Sequence, residues 1–350
     1  MNKTNLIYQI NDLPLFQNRM YDSSDEAINC PRGNIRLVQN LLSGLIYNEL
    51  FYPEKMVYDG NYQNEQAVSP LFRQHLETVA TVVCRTMGTV NLVEVGCGKG
   101  SFLEILIAKG LDISGFDPTY EGQNPRVRRQ YFAPGLIQKA NGLILRHVLE
   151  HIQNPLRFLT ELKEANGGQG RIYIEVPDFD WICKHKTWFD VFYEHVNYFR
   201  LTDLRGMFSE VIESGSTFGG QYIYITAELN SLKQPVIKQD NIIHEKLDLA
   251  ENISGSTADK KHSSAIWGGA SKGVIFALMK ERTGLPISTV IDINPAKQGK
   301  FLPGTGIEVK SPESGLADLE IGSTIYVMNS NYLQEIKEMS NNNYVYHSVD

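Results

Sequence analysis

Two acids, three histidines and a run of closely spaced glycines carry most of the chemistry open to this sequence. Residues 92–98 read Leu-Val-Glu-Val-Gly-Cys-Gly, followed by Lys99-Gly100-Ser101-Phe102. An apolar run bearing the acid Glu94 enters a turn with Gly96, Gly98 and Gly100 at alternate positions. Glycine lacks a Cβ, so such a turn closes tightly and lets a ligand lie against the backbone. A second apolar run, 111–116, ends at Asp117. A glycine turn and an acid at the carboxyl ends of neighbouring parallel strands describe a nucleoside-binding crevice. The G-x-G-x-G spacing differs from the G-x-G-x-x-G of dinucleotide sites, whose pyrophosphate meets the helix N-terminus. Glu94 would repel a pyrophosphate but could accept hydrogen bonds from a cationic or amino-bearing ligand.

His147 and His151 follow the apolar run 141–146 and share one face if helical. Val148 occupies the position where H-E-x-x-H would need its Glu, so the pair does not match that zinc motif. No metal is expected. Glu194 and His195 lie in Phe192-Tyr-Glu-His-Val-Asn-Tyr-Phe199. Aromatic surroundings can desolvate an imidazole and keep it near neutral pKa, as a general base requires. Glu194 could orient His195 or touch a substrate. The bland alternatives are histidines that pack beside a cofactor and a His195 held inert in a buried aromatic turn. Farther on, Gly268-Gly-Ala-Ser-Lys-Gly273 opens a helix. A glycine turn with Lys272 in it can hold an anion; the alternative is that its glycines only permit close helix–strand packing.

These residues need an α/β framework to position them. From 90 to 228, strands expected at 91–95, 111–116, 141–146, 171–176 and 221–228 alternate with helices at 100–109, 155–165 and 202–209. That alternation implies a parallel sheet. The period-two run 221–228 reads as an edge strand pairing antiparallel. Four segments result: an N-terminal lobe (1–85), a Rossmann-like domain (86–230), a helical connector (231–262) and a smaller α/β domain (263–350). The connector's helix-like pattern is Ile242, Ile243, Leu247, Leu249 and Ile253. Ser69-Pro70 before Leu71, Leu76 and Val79 reads as a capped helix leading into the core.

Composition narrows the function classes. The chain has 350 residues, 42% of them hydrophobic, and a formal net charge of −7 without a long basic run. Size and apolar content suit a globular protein of two or three domains. The charge disfavours nucleic acid as a partner. The four cysteines, Cys30, Cys84, Cys97 and Cys183, contain no C-x-x-C pair, which argues against a disulfide scaffold and a cysteine zinc site. No signal peptide or membrane-spanning run is evident, and a cytoplasmic protein with no membrane partner is expected.

The pattern Glu94-x-Gly96-x-Gly98-x-Gly100 resembles motif I of class I S-adenosylmethionine-dependent methyltransferases. More closely, the chain resembles the three-domain sugar C-methyltransferases, typified by nucleotide-hexose C-3-methyltransferases, in the order of motifs along nearly its whole length. His147-Val-Leu-Glu-His151 is similar to that family's N-V-L-A-H, with His147 replacing Asn. Glu194-His-Val-Asn-Tyr-Phe199 matches E-H-x-x-Y-F, and Gly268-Gly-Ala-Ser-Lys-Gly273 matches its G-A-x-x-K-G turn. The run from Asp292 to Gly304 resembles a segment of its C-terminal domain.

The resemblance implies S-adenosylmethionine as donor, with S-adenosylhomocysteine as product. Glu94, Gly96, Gly98, Gly100, Phe102 and Asp117 would surround the donor, Asp117 on its ribose. Pro118, Tyr131, Phe132, Arg146 and His147 complete the expected donor set. His195 would remove a proton beside a keto group, His151 would stabilise the oxyanion, and Glu194 and Tyr62 would assist. Tyr198, Gly269, Ser271, Lys272, Asp292 and Lys297 would bind a nucleotide-sugar lying between the domains. A monomer or small homo-oligomer is implied. Where the family's lobe carries a zinc-binding C-x-x-C, this chain has Asn40-Leu-Leu-Ser43, so a lobe held by packing alone is expected. The alternatives are O-methylation of a sugar or other small molecule, and a donor-binding relative without turnover.

Overall fold

The computed structural model describes residues 3–57, 62–63, 65–136, 139–244, 246–247 and 263–350. The chain begins with an antiparallel sheet. β1 (Thr4–Pro14) pairs with β2 (Arg32–Asn40) across the short helix α1 (Ser24–Ile28), and β2 pairs with β3 (Ile46–Asn48). Ile7, Leu13, Ile35 and Leu37 are wholly buried beneath it. Where a metal-binding turn was conceivable, the Asn40 side chain accepts from the N–H groups of Leu42 and Ser43, at 2.9 and 3.1 Å. Asx-type bonding and Gly44 at φ +85° close this turn.

Helix α2 (Pro70–Met87) is capped by Ser69, whose hydroxyl accepts from the Phe72 N–H at 3.3 Å. Its buried Phe72, Leu76, Val79, Ala80 and Val83 recur at helical spacing and pack under the middle sheet with Leu103 and Leu106. A boundary at 85, suggested by composition, falls inside this helix, which belongs to the middle domain's core.

The middle domain runs β4 (Leu92–Val95), α3 (Ser101–Ala108), β5 (Ile113–Phe116), β6 (Val127–Arg128), β7 (Gly142–Arg146), α4 (Pro155–Ala165), β8 (Arg171–Pro177), α5 (Phe179–His185), β9 (Asn197–Tyr198), α6 (Leu201–Gly206), β10 (Val211–Thr217) and β11 (Tyr222–Glu228). All but β9 form a seven-stranded sheet in the order β10-β11-β8-β7-β4-β5-β6. The strands from β6 to β8 are parallel, and β11 runs antiparallel to both β8 and β10. Every residue of β4 is buried, as a central parallel strand covered on both faces requires. The run 221–228, expected at the sheet's edge, lies inside it. The edge is β10, whose Glu-Ser-Gly-Ser-Thr lacks a strand-like apolar pattern and is held by its hairpin to β11. β9 leaves this sheet and pairs with β3, extending the N-terminal sheet.

The connector is not helical where it is described. Gln239–Asn241 makes a single 3₁₀ turn. The Gln39 side chain then straps the segment to the lobe, donating to the Asn241 carbonyl and accepting from the Ile243 N–H, both at 2.9 Å. Of the expected helical pattern, Leu249 and Ile253 lie outside the described residues.

The last domain comprises β12 (Ser264–Trp267), α7 (Lys272–Arg282), β13 (Thr289–Ile291), β14 (Val309–Lys310), α8 (Pro312–Ala317), β15 (Thr324–Val327), α9 (Leu333–Met339) and β16 (Val345–Ser348). Its sheet is wholly parallel, in the order β14-β13-β12-β15-β16. Both parallel sheets therefore reverse strand order beside their first strand, where such folds bind ligands at the carboxyl ends. No described helix is long and apolar enough to cross a membrane.

Candidate active site

The turn after β4 follows from its glycines. Gly96, Gly98 and Gly100 all have positive φ, at +75°, +54° and +84°. A Cβ on Gly96 would lie 2.5 Å from the Val148 side chain. Asp117, at the end of β5, locks the turn. Its Oδ2 accepts from the Gly98 N–H at 2.8 Å, and its Oδ1 from the Thr119 N–H and hydroxyl at 2.8 and 2.7 Å. Glu94 is buried with no donor to its Oε2 among the described residues. Burial chiefly pushes its carboxyl up to about 8; nearby Arg146 opposes this and Asp117 adds to it. A buried acid with an unmet acceptor, beside a glycine cradle and an acid at the second strand's end, fits an amino-bearing nucleoside such as S-adenosylmethionine.

Gly96, Gly98, Phe102, Asp117, Pro118, Tyr131 and Phe132 line one cavity of about 1070 Å³ together with Glu94, Arg146 and His147. Gly100 does not line it; it is buried against Tyr120, where it starts α3 in a left-handed conformation. Arg146 lies over the Phe102 ring, 4.7 Å from its centroid, and its Nη2 donates to Glu175 at 2.7 Å. Burial resists ionisation of Glu175. Even so, Arg146 first, then the close approach of His147 at 3.3 Å and the hydrogen bond with His75, hold this carboxyl well below the usual range.

β7 leads to His147, at φ +53°, and then to a 3₁₀ turn, Leu149–His151. The His151 Nδ1 donates to the Glu194 carbonyl at 2.9 Å, since a carbonyl can only accept. The loop that precedes β9 brings His195 to within 4.9 Å of His151, ring centre to ring centre, and to 4.0 Å from Phe192. Burial lowers the pKa of His151. Burial first, then His151, His147 and Lys272, lowers that of His195 well below its ordinary value. Both imidazoles are therefore neutral at neutral pH, with lone pairs available.

Three expected contacts are not formed as the sequence suggested. Glu194 is not among the residues lining the cavity; its carboxylate accepts from Asn18 Nδ2 at 3.2 Å, behind the wall that Asn18 forms. Burial pushes its pKa up to about 8, against hydrogen bonds from Gln17, Asn18 and Tyr62. Adjacent residues in a turn need not share a direction, and only the Glu194 backbone carbonyl serves the site. Tyr198 is buried outside the cavity, and its hydroxyl bonds the Phe192 N–H and carbonyl at 3.2 and 3.1 Å, bracing the His195 loop. Gly269 is buried in its turn and donates to Asp292 Oδ2 at 2.8 Å. Tyr62 does line the cavity.

Glu150, which sequence reasoning passed over, is 1% exposed and lines the cavity beside His151 and His195. Its position between two histidines in H-x-x-E-H was the available signal. Asn18 was also missed. It links Glu194 to the last domain by accepting from the Ser271 hydroxyl at 3.1 Å.

The far wall comes from the last domain. Ser271, Lys272, Asp292 and Lys297 line the same cavity. Asp292 repeats the device of Asp117: one oxygen takes a turn N–H, the other the Asn294 N–H at 2.8 Å. Lys297 donates to Asp292 at 3.2 Å, and Lys272 pairs with Asp190 at 3.1 Å. Each of these two cations thus has a carboxylate partner. The carboxyl ends of two parallel sheets face each other across this single cavity.

Residues 58–211 match a family model described as a methyltransferase domain. No curated protein matches the chain. Several solved structures are similar over part of the chain. The methyltransferase domain of a bacterial Hen1 is 18% identical, over 45% of this chain and 98% of that one, with a TM-score of 0.36. The magnesium protoporphyrin IX methyltransferase of Synechocystis PCC 6803 with bound S-adenosylhomocysteine is 17% identical, over 50% and 91%, with a TM-score of 0.36. The plantazolicin methyltransferase BpumL, bound to S-adenosylhomocysteine and a substrate analogue, is 14% identical, over 46% and 85%, with a TM-score of 0.37. The middle domain has the doubly wound α/β fold of class I methyltransferase domains.

Proposed function

We propose that the chain methylates a carbon of a nucleotide-linked keto-sugar, with His195 as the base. One observation carries this reading: the cavity joins the donor turn, a neutral histidine pair and a second nucleotide-type crevice. Its volume of about 1070 Å³ is just above the range of a single small-molecule site, roughly 300–1,000 Å³. Room for a donor and an extended acceptor is what a two-substrate transfer needs.

When bound, S-adenosylmethionine supplies an electrophilic methyl group. Glu94 and Asp117 would hold its amino and ribose groups. His195 would take the proton beside the acceptor's ketone on a ring nitrogen. The C–H electron pair would move into an enolate, whose carbon would take the methyl group as the S–CH3 bond breaks, its electron pair returning to sulfur in the departing S-adenosylhomocysteine. His151 keeps its own proton on Nδ1, so its Nε2 would meet the developing oxyanion as a donor once it carries the proton that His195, 4.9 Å away ring to ring, removes. Ser271 and Lys272 would receive the nucleotide's anionic part, Lys272 exchanging or sharing Asp190. A positioned imidazole is strong enough for a proton alpha to a ketone. O-methylation would use the same His195 on a hydroxyl.

The test is incubation with S-adenosylmethionine and a panel of nucleotide-linked keto-sugars in deuterated water, followed by mass and NMR analysis. A methyl gained at carbon, with deuterium at exchangeable positions beside the ketone, is the expected result. A methyl gained at oxygen would refute the enolate and move His195 to hydroxyl activation.

A further inference from the structure

We propose that Glu150, His151 and His195 form a site for a divalent transition-metal ion of the zinc class, and that this ion and the acceptor exclude one another. The second half rests on the reading of His195 as the base. One ligand atom from each residue lies within 4.8 Å of the other two. An ion at 2.0–2.2 Å from each would hold them about 3.4 Å apart, so modest side-chain movement closes the site.

Glu150 makes this more than a chance cluster. Its carboxylate is buried, and neither oxygen has an aligned hydrogen-bond donor among the described residues. His147 Nδ1 approaches Oε1 at 3.3 Å but out of hydrogen-bonding alignment. Against burial, Glu150 and Glu175 raise the pKa of His147, which offsets part of this charge from one side; Oε2 has no donor among the described residues, and a bound cation would complete the compensation.

The histidines are prepared in the same sense. His151 spends Nδ1 on the Glu194 carbonyl, which leaves the Nε2 lone pair for a ligand. Backbone hydrogen bonds of this kind commonly fix the tautomer of metal-bound histidine. Neutral imidazole is the form that coordinates. Two imidazoles and one carboxylate suit zinc and its neighbours and leave a coordination position open. All three groups line the cavity, which gives the ion a way in. The consequence follows from electron counting. The His195 lone pair cannot bind an ion and accept a proton together, so the ion-bound form lacks its base.

The test uses full-length, untagged protein, stripped with chelator and dialysed. Titration with Co²⁺, followed by visible absorption, and with Zn²⁺, followed by calorimetry, should each show one tight equivalent, with or without S-adenosylhomocysteine. Glu150→Gln and His151→Gln should each weaken binding at least about tenfold. Thermal melting and S-adenosylhomocysteine affinity report whether each variant is folded. No stoichiometric ion, or unchanged affinity in both folded variants, overturns the site. In the wild type, Zn²⁺ should raise the apparent KM for the acceptor and leave that for the donor unchanged. Bound zinc with unimpaired methyl transfer would leave the site standing and overturn His195 as the base.

Discussion

Two residues in the cavity have environments that decide their roles. His195 is backed by Phe192 and held neutral by burial, which is the state a base must start from. His195→Ala is expected to lower turnover about 10²-fold or more, the usual scale of a general base, with S-adenosylhomocysteine affinity retained by calorimetry. Near-normal turnover would remove it from the chemistry. Glu94 supplies a pH signature. Its carboxyl is raised from 4.5 to about 8 by burial, so at pH 7 the free protein holds it protonated. An ammonium-bearing donor favours the ionised form, and binding then releases a proton. Donor affinity should rise with pH up to about 8 and level off above it. At pH 7 the calorimetric enthalpy should vary with the buffer's ionisation heat, and Glu94→Gln should abolish that dependence. An equal dependence in the variant would mean that another group titrates.

At the scale of elements, glycine turns set both crevices, and the second is the more tightly constrained. A Cβ on Gly273 would lie 1.9 Å from the Gly268 carbonyl oxygen. Neither backbone can yield without opening the turn between β12 and α7. Gly273→Ala is expected to lower Tm and to cut kcat/KM through the acceptor, with donor affinity kept by the separate domain. Unchanged acceptor kinetics would dissociate this turn from substrate binding. Such units were legible in the sequence because fully buried parallel strands must be apolar runs: Leu92–Val95 and the run 143–145 stand out by residue type alone. β10 did not stand out because hairpin pairing, not an apolar pattern, holds it in place. The neighbourhood of Glu150 and His195 was hidden for a different reason. It exists because Val196 donates to the Glu150 carbonyl at 2.9 Å, a contact between distant parts of the chain that no local spacing encodes. Glu194, adjacent to His195 in sequence, was the natural partner to expect, yet its carboxylate faces Asn18.

At the scale of the molecule, the cavity exists because three bodies are clamped together around it. Gln221, just before β11, and Asn329, beyond β15, exchange amide hydrogen bonds at 2.8 and 2.7 Å. Ser69, the cap of α2, also donates to Glu335 of α9 at 3.0 Å. The apolar part of the clamp is Phe276 of α7. It stacks on Trp188 of the middle domain at 5.5 Å and 12°, meets Phe189 edge-on at 6.0 Å, and packs on Tyr326 behind it. The same apolar cluster reaches Ile7, Leu13 and Ile35 of the first sheet. Removing a buried phenyl ring costs about 3–5 kcal/mol in a rigid core. Here the ring joins domains that can separate, so part of that cost should appear as loosened docking. Phe276→Ala is expected to increase the radius of gyration in small-angle scattering and to raise the acceptor's KM, with donor affinity intact. Each domain keeps its own sheet, so circular dichroism should change little. If the variant stays compact and its acceptor KM is normal, the polar clamps suffice to hold the cavity. If donor affinity falls as well, the donor crevice depends on the last domain, contrary to an independently folded methyltransferase core.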